Sequence, residues 1–263
     1  MSRIVNLVSA IIRSAQGRDD KAFLVSPEQA SADITNWGEY ASLFFAHKGR
    51  TAHKWTHYLE AYDAEFAPYQ KGFPLPGGGV RPIRMLEAGT SHGGSLQLWR
   101  KYFGPDAAIW GVDVDPRCLS VDDLDLDVRI GSQNDPEFLL KVVEEMGGVD
   151  IVLDDGSHVA EHQMTTFKTL FPMLTEGGVY VVEDLHTAYW REFGGGYQKS
   201  SSFIEVAKQL IDDMHGVYHR RGDRLGMEAA LYVPRVCFYD SMVFIRKAAR
   251  VRPSTSKVGS PSF

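Results

Sequence analysis

The chain has 263 residues, 44% hydrophobic and 24% charged, which suits one large soluble α/β domain with a modest appendage and excludes a disordered or fibrous protein. A formal charge of −6 lacks the basic surplus of a non-specific nucleic-acid binder, and no apolar run reaches the ~18 residues of a membrane span. Cys118 and Cys237 form neither a disulfide framework nor a metal-ligand spacing, so a reducing cytoplasm is the expected setting.

Residues 4–12 are apolar and followed by Arg13, without the long core and cleavage site of a secretory signal. They are expected to form an amphipathic docking or dimer-interface helix. Ser26, before Pro27-Glu28-Gln29, reads as a helix N-cap. From Trp55 onward, Tyr58, Tyr62 and Phe66 recur every fourth residue, as on one helix face. That helix either packs in the core or forms a lid over an acceptor. The loop Pro74-Leu-Pro-Gly-Gly-Gly ends this first region. The expected organisation is an N-terminal helical extension or lid over 1–80, a regular domain over 81–249 and a flexible tail over 250–263.

From residue 83 apolar strand patterns at 83–87, 108–112, 127–130, 150–153 and 179–182 alternate with helical patterns at 95–102, 136–146 and 161–174. Short apolar strands separated by helices imply a mostly parallel sheet covered on both faces, an α/β fold. The runs 235–239 and 242–246, separated by Asp240-Ser241, read as a closing antiparallel hairpin.

Ligands of such sheets sit beyond the carboxyl ends of the strands. The first such end carries Leu86-Glu-Ala-Gly-Thr-Ser-His-Gly-Gly-Ser-Leu, where Gly89 and Gly93 would let backbone approach a ligand. A glycine turn alone is weak, because tight βα turns need glycine for steric reasons. The second strand ends in Asp113, placed to accept both hydroxyls of a ribose, and the third leads to Gln133, which could edge an adenine. An NAD-dependent oxidoreductase shares the acidic residue, but Gly89, Gly93 and Gly94 do not fit G-x-G-x-x-G. Glu87 would repel a diphosphate and suits a cationic amino-acid end, favouring S-adenosylmethionine.

The segments Leu153-Asp-Asp-Gly-Ser-His-Val and Val182-Glu-Asp-Leu-His-Thr-Ala-Tyr-Trp each follow a predicted strand. Asp155, Glu183 and Asp184 would converge at one rim, where three carboxylates need a cation and their oxygens suit Mg²⁺ or Mn²⁺. The alternative is that these acids cap helices, and Asp154 either does so or reaches the adenine side. His158, three residues past Asp155, is placed as a general base, because imidazole titrates near neutral pH; the alternative is a histidine bonded within its turn. His186, Tyr189 and Trp190 either stack on a sugar or pack in the core. His92 and His162 read as structural or surface groups.

Glu87-Ala-Gly-Thr-Ser-His-Gly-Gly-Ser-Leu, Asp154-Asp-Gly-Ser-His and Glu183-Asp-Leu-His-Thr-Ala-Tyr-Trp resemble, in this order, the signature segments of metal-dependent sugar O-methyltransferases of the macrolide-tailoring (mycinamicin and tylosin) type. The resemblance covers about residues 50–247. It implies a Rossmann-like class I methyltransferase fold with a seven-stranded, mostly parallel sheet. It further implies S-adenosylmethionine held by Glu87, Gly89, Thr90, Ser91, Ser95, Asp113, Gln133 and Asp154. Mg²⁺ would lie on Asp155, Glu183 and Asp184, with His158 and Asp155 in the chemistry. The acceptor it implies is a hydroxyl of a sugar or glycosylated natural product, in antibiotic or cell-envelope biosynthesis, and the enzyme a homo-oligomer. The rival readings are a metal-dependent catechol or phenol O-methyltransferase, an NAD-dependent oxidoreductase, and a non-catalytic binding protein on the same scaffold.

Overall fold

The computed structural model describes residues 25–32, 38–121, 126–218, 232–249, 253–260 and 262. The apolar stretch 4–12, with its expected docking role, lies outside them. Helix α1 (Pro27–Ala32) opens with Ser26 Oγ accepting from the Gln29 amide and Gln29 Oε1 accepting from the Ser26 amide, a reciprocal cap. Helices α2 (Glu39–Ala46) and α3 (Thr56–Phe66) follow, then a small ribbon of β1 (Phe73–Pro74) and β2 (Val80–Arg81).

The main sheet and its helices then alternate along the chain. They are β3 (Arg84–Ala88), α4 (Gly94–Phe103), β4 (Ala108–Asp113), β5 (Asp127–Ile130), α5 (Pro136–Met146), β6 (Val149–Asp154), α6 (Ala160–Leu170), β7 (Leu174–Val182), α7 (Phe203–Met214), β8 (Arg235–Tyr239) and β9 (Met242–Arg246). The seven strands lie in the order β5-β4-β3-β6-β7-β9-β8. β3 to β7 are parallel, while β9 and β8 close the edge as an antiparallel hairpin. Strand order reverses between β3 and β6, so the crevice over their carboxyl ends is the expected ligand position.

Strand alternation sorts the core into two layers. Met85, Ile109, Ile151, Leu153, Val181 and Phe244 pack with α2, α3 and α4 on one face. Leu86, Trp110, Val152, Tyr180, Val182 and Ile245 pack with α5, α6 and α7 on the other. For α3, of the two roles open in the sequence, the structure shows core packing: Tyr58, Tyr62 and Phe66 are all buried. Tyr62 meets Trp99 edge to face, and Tyr40 stacks on Trp99 at 4.2 Å between centroids.

Two expected boundaries are corrected. The helix expected over 161–174 ends at Leu170, and the strand expected over 179–182 begins at Leu174. Thr175-Glu-Gly-Gly, left between the two expected elements, sits inside β7 at a register shift between Val149 and Ile151 of its neighbour, with the Gly177 amide donating to the Lys247 carbonyl.

Candidate active site

The carboxyl rim of the sheet is stepped. The first amide beyond β3, β6 and β7 donates to a carbonyl of the adjacent strand: Gly89 to Val112, Asp155 to Ala88 and Glu183 to Asp154, at 2.9–3.0 Å. Gly89 has φ +99°, and a Cβ there would collide with the Asp155 carbonyl, so glycine is required for the two turns to touch. Above this rim opens a cavity of about 1510 Å³. The strap of residues 50–55 crosses over the start of α4. It is pinned by the Arg50 amide on Gln97 Oε1 (2.9 Å) and the Arg50 guanidinium on the Val121 carbonyl (3.2 Å). Four non-glycine residues lining the cavity, Ser91, His158, Asp184 and Ser241, have φ between 46° and 60°. Such conformations cost of order 1–3 kcal/mol each and cluster where function over-determines geometry.

At one end lie the residues expected to hold the cofactor. Gly89, Thr90, Ser91, Ser95, Asp113 and Gln133 line the cavity. Asp113 accepts from the amides of Ser91 (3.0 Å) and Asp115 (2.9 Å), which fixes its carboxylate at the tip of β4. Glu87 and Asp154 lie under the cavity floor, both fully buried. Ser95 Oγ donates to Glu87 at 2.8 Å, and burial pushes the Glu87 carboxyl up to about 7. Gln133 Nε2 donates to Asp154 Oδ1 (2.9 Å) and Thr166 Oγ1 (3.1 Å), and its Oε1 accepts from the Ser157 amide (2.7 Å). Gln133 and Asp154 therefore spend these groups on each other and on the Ser157 turn. Burial pushes Asp154 up to about 6.

At the other end Asp155, His158 and Asp184 come together, with ligand-capable atoms all within 4.8 Å. His158 Nε2 lies 3.4 Å from Asp184 Oδ2 and 4.0 Å from Asp155 Oδ1. Its Nδ1 is buried without a hydrogen-bond partner among the described residues. Tyr58 donates to Asp184 at 2.7 Å. Burial would raise Asp184, but His158 and the Tyr58 hydroxyl hold it below the ordinary carboxylate value. The two carboxylates, with converging oxygens, fit a hard divalent cation, and the imidazole beside them is placed to take a proton. Glu183 also lines the cavity but is turned from this trio: its carboxylate takes the Lys54 ammonium at 2.9 Å and the Tyr62 hydroxyl. Burial, with Asp155 close by, raises its carboxyl well above the ordinary value.

The rim beyond the acids is aromatic. His186 Nδ1 is 2.6 Å from Ser241 Oγ, and its ring meets both Trp55 and Trp190. Trp55, His186 and Trp190 line the cavity, whereas Tyr189 does not. His92 is exposed at the cavity mouth, and His162 Nδ1 lies 2.8 Å from Ser157 Oγ. Lys54, Tyr58 and Tyr62 are the site residues that the motifs do not reveal. Only the fourfold aromatic spacing pointed at α3, and nothing pointed at Lys54.

No family model matches the sequence. The chain is 39% identical over 218 residues to the 8-demethyl-8-(2-methoxy-alpha-L-rhamnosyl)-tetracenomycin-C 3'-O-methyltransferase of Streptomyces olivaceus, a match covering 79% of this chain and 48% of that protein. It is 36% identical over 184 residues to mycinamicin VI 2''-O-methyltransferase of Micromonospora griseorubida, covering 66% and 43% respectively. In three dimensions it superposes on the MycE methyltransferase of the mycinamycin biosynthetic pathway, solved in complex with Mg, SAH and mycinamycin VI. That match has a TM-score of 0.67 at 31% identity and covers 80% of this chain and 53% of the other. The chain thus spans about half the length of the curated relatives it matches, 48% and 50% for the first two. Over the part it shares with them, the chain is similar in fold and in sequence to the mycinamicin-type sugar O-methyltransferases.

Proposed function

We propose that this protein transfers a methyl group from S-adenosylmethionine to a hydroxyl of a sugar or glycosylated natural product, with the help of Mg²⁺ or Mn²⁺. The observation that carries this is the meeting of Asp155, His158 and Asp184 at one end of a cavity whose other end presents Asp113 and the Gly89 turn. The ligands of the MycE complex and the rhamnosyl hydroxyls named in the tetracenomycin relatives support cofactor and acceptor class alike. When bound, the cofactor supplies an electrophilic methyl carbon and the cation lowers the cost of forming an alkoxide.

The chain's own residues do the rest. Asp155 and Asp184 would hold the ion, with Glu183 joining them on turning from Lys54. His158 takes the acceptor proton on Nε2, the ring nitrogen turned to the acids. A base so placed contributes roughly 10²–10⁴ in rate. Asp113 receives the ribose hydroxyls, and Gly89, Thr90, Ser91 and Ser95 shape the wall for the rest of the cofactor. Glu87, Gln133 and Asp154 support that wall from beneath. Trp55, His186 and Trp190 offer apolar faces against which a sugar ring can lie, and positioning of this kind supplies much of the remaining barrier reduction. Both cysteines are free thiols, in keeping with a reducing cytoplasm. Among the described residues no helix is long and apolar enough to cross a membrane. Self-association into a homo-oligomer is carried over from the family resemblance.

The test is a calorimetric titration of S-adenosylhomocysteine and of Mg²⁺ into chelator-treated protein, followed by methyl transfer to panels of rhamnosides and catechols. The expected result is binding of both ligands, loss of the Mg²⁺ signal in Asp155→Asn, and methylation of glycosides. Methylation of catechols alone would sink the sugar assignment, and tight NADH binding without S-adenosylhomocysteine binding would restore the dehydrogenase.

A further inference from the structure

The acids that line the cavity have a role in the proposed function, but the buried lysine that lines it with them does not. The Lys54 side chain is only 2% exposed. Its ammonium lies 2.6 Å from Asp155 Oδ2, 2.9 Å from both oxygens of Glu183 and 3.5 Å from Glu87 Oε1. Those carboxylates come from β3 and from the residues just beyond β6 and β7. Burial opposes a charge here, but Asp155, Glu183 and Glu87 carry the lysine well above its ordinary value. The ammonium therefore stands where a cation bound by Asp155 and Glu183 would also have to act. An ammonium and a divalent ion that close would repel strongly in a low-dielectric interior. The lysine also has somewhere to go, because it ends a flexible four-carbon stem and Glu87 offers a further carboxylate within the same core.

We propose that Lys54 is a displaceable internal counter-ion, occupying the Glu183–Asp155 side of the acid cluster until a divalent cation displaces it and so weakening the site's hold on metal. This inference rests on the metal-dependent reading above. It explains why Glu183 is turned from Asp184 and His158, and it assigns a role to a residue outside the motifs. Lys54 is a positioning residue, acting through the carboxylates it holds.

The experiment is a titration of Mn²⁺ alone, read by electron paramagnetic resonance, into chelator-treated wild-type protein, Lys54→Met and Lys54→Arg, without cofactor or acceptor. Lys54→Met should bind Mn²⁺ about tenfold tighter or more, because a like charge is gone from beside the ion, whereas Lys54→Arg should stay near wild type. If removing the lysine prevents folding, the double variant Lys54→Met/Glu87→Gln deletes one buried charge of each sign and should show the same tightening. Unchanged or weaker binding in a folded charge-deleted variant overturns the inference while leaving the metal site intact. Failure of both variants to fold also overturns it, since an indispensable lysine is not a displaceable one. Absence of Mn²⁺ binding in every protein would instead remove the metal reading itself.

Discussion

Opposite ends of strand β6 treat a buried acid in opposite ways. Near its amino end Asp150 is fully buried and oversupplied with partners. Arg81 grips it through two nitrogens at 2.6 Å, Arg84 adds contacts at 3.0 Å, and Thr175 Oγ1 lies at 2.6 Å. Burial alone would raise its carboxyl, yet these partners hold it below the ordinary value. Around the carboxyl end the balance is reversed: Glu87, Asp154, Asp155, Glu183 and Asp184 crowd together, sharing the ammonium of Lys54 and the ring of His158. Two arginines on one acid make a closed structural clamp. Acids in excess of their partners hold a standing demand for positive charge, which is the mark of a site rather than a brace.

Substitutions at each end should separate these roles. The largest effect is expected at the carboxyl end, where His158→Ala should cut turnover by about 10²–10⁴ with S-adenosylhomocysteine affinity nearly unchanged. Steady-state kinetics and calorimetry on the same preparation measure both, and undiminished turnover would remove His158 from the chemistry. At the amino end Asp150→Asn should cost about 3 kcal/mol in chemical denaturation by leaving two guanidinium groups without their acid. The cofactor affinity of the folded variant should not change; if it did, the clamp would not be purely structural. A smaller loss, about 1.5 kcal/mol, is expected for Tyr58→Phe, which deletes a hydrogen bond to a charged carboxylate.

The mildest test is pH, with opposite signs at the two ends. Asp150 has a lowered folded value, so its contribution is present above the unfolded value near ~3.9 and fades as pH falls through the folded one. Glu87, raised to about 7, favours the folded state when protonated, so its contribution declines as pH rises from about 4.3 to about 7. Each slope is at most about 1.4 kcal/mol per pH unit. Asp150→Asn should flatten the acid limb of the stability profile, and Glu87→Gln should flatten the decline toward neutrality. Identical profiles for the variants and wild type would mean that the two ends are not distinguished by charge.

These contrasts also mark how far the sequence could be read. The parallel strands and α5 are legible because apolar runs and helical periodicity survive in them. The first half of β7 is not, because its glycines belong to a register irregularity that only the pairing with β6 and β9 reveals. The acids of the site announce themselves by following apolar strands. Which way each one points does not follow, because adjacent residues at a strand end face opposite sides: Asp154 is sealed in the core, while Asp155 reaches the cavity. Lys54 left no local trace, since its partners lie 101 and 129 residues further along and its own segment has neither period nor motif.

The stepped rim gives the site a built-in ruler. Neighbouring strands in a sheet are held about 4.8 Å apart by their ladders, so Asp113 on β4 and the acid following β6 are separated across β3 by about 10 Å. Backbone hydrogen bonds between strand tips, not side-chain rotamers, set that span. On the proposed function, the distance from the cofactor's ribose to the acceptor hydroxyl would thereby be a property of the sheet. Changes at Trp55, His186 and Trp190, which line the same cavity, would then alter acceptor preference while leaving that distance unchanged.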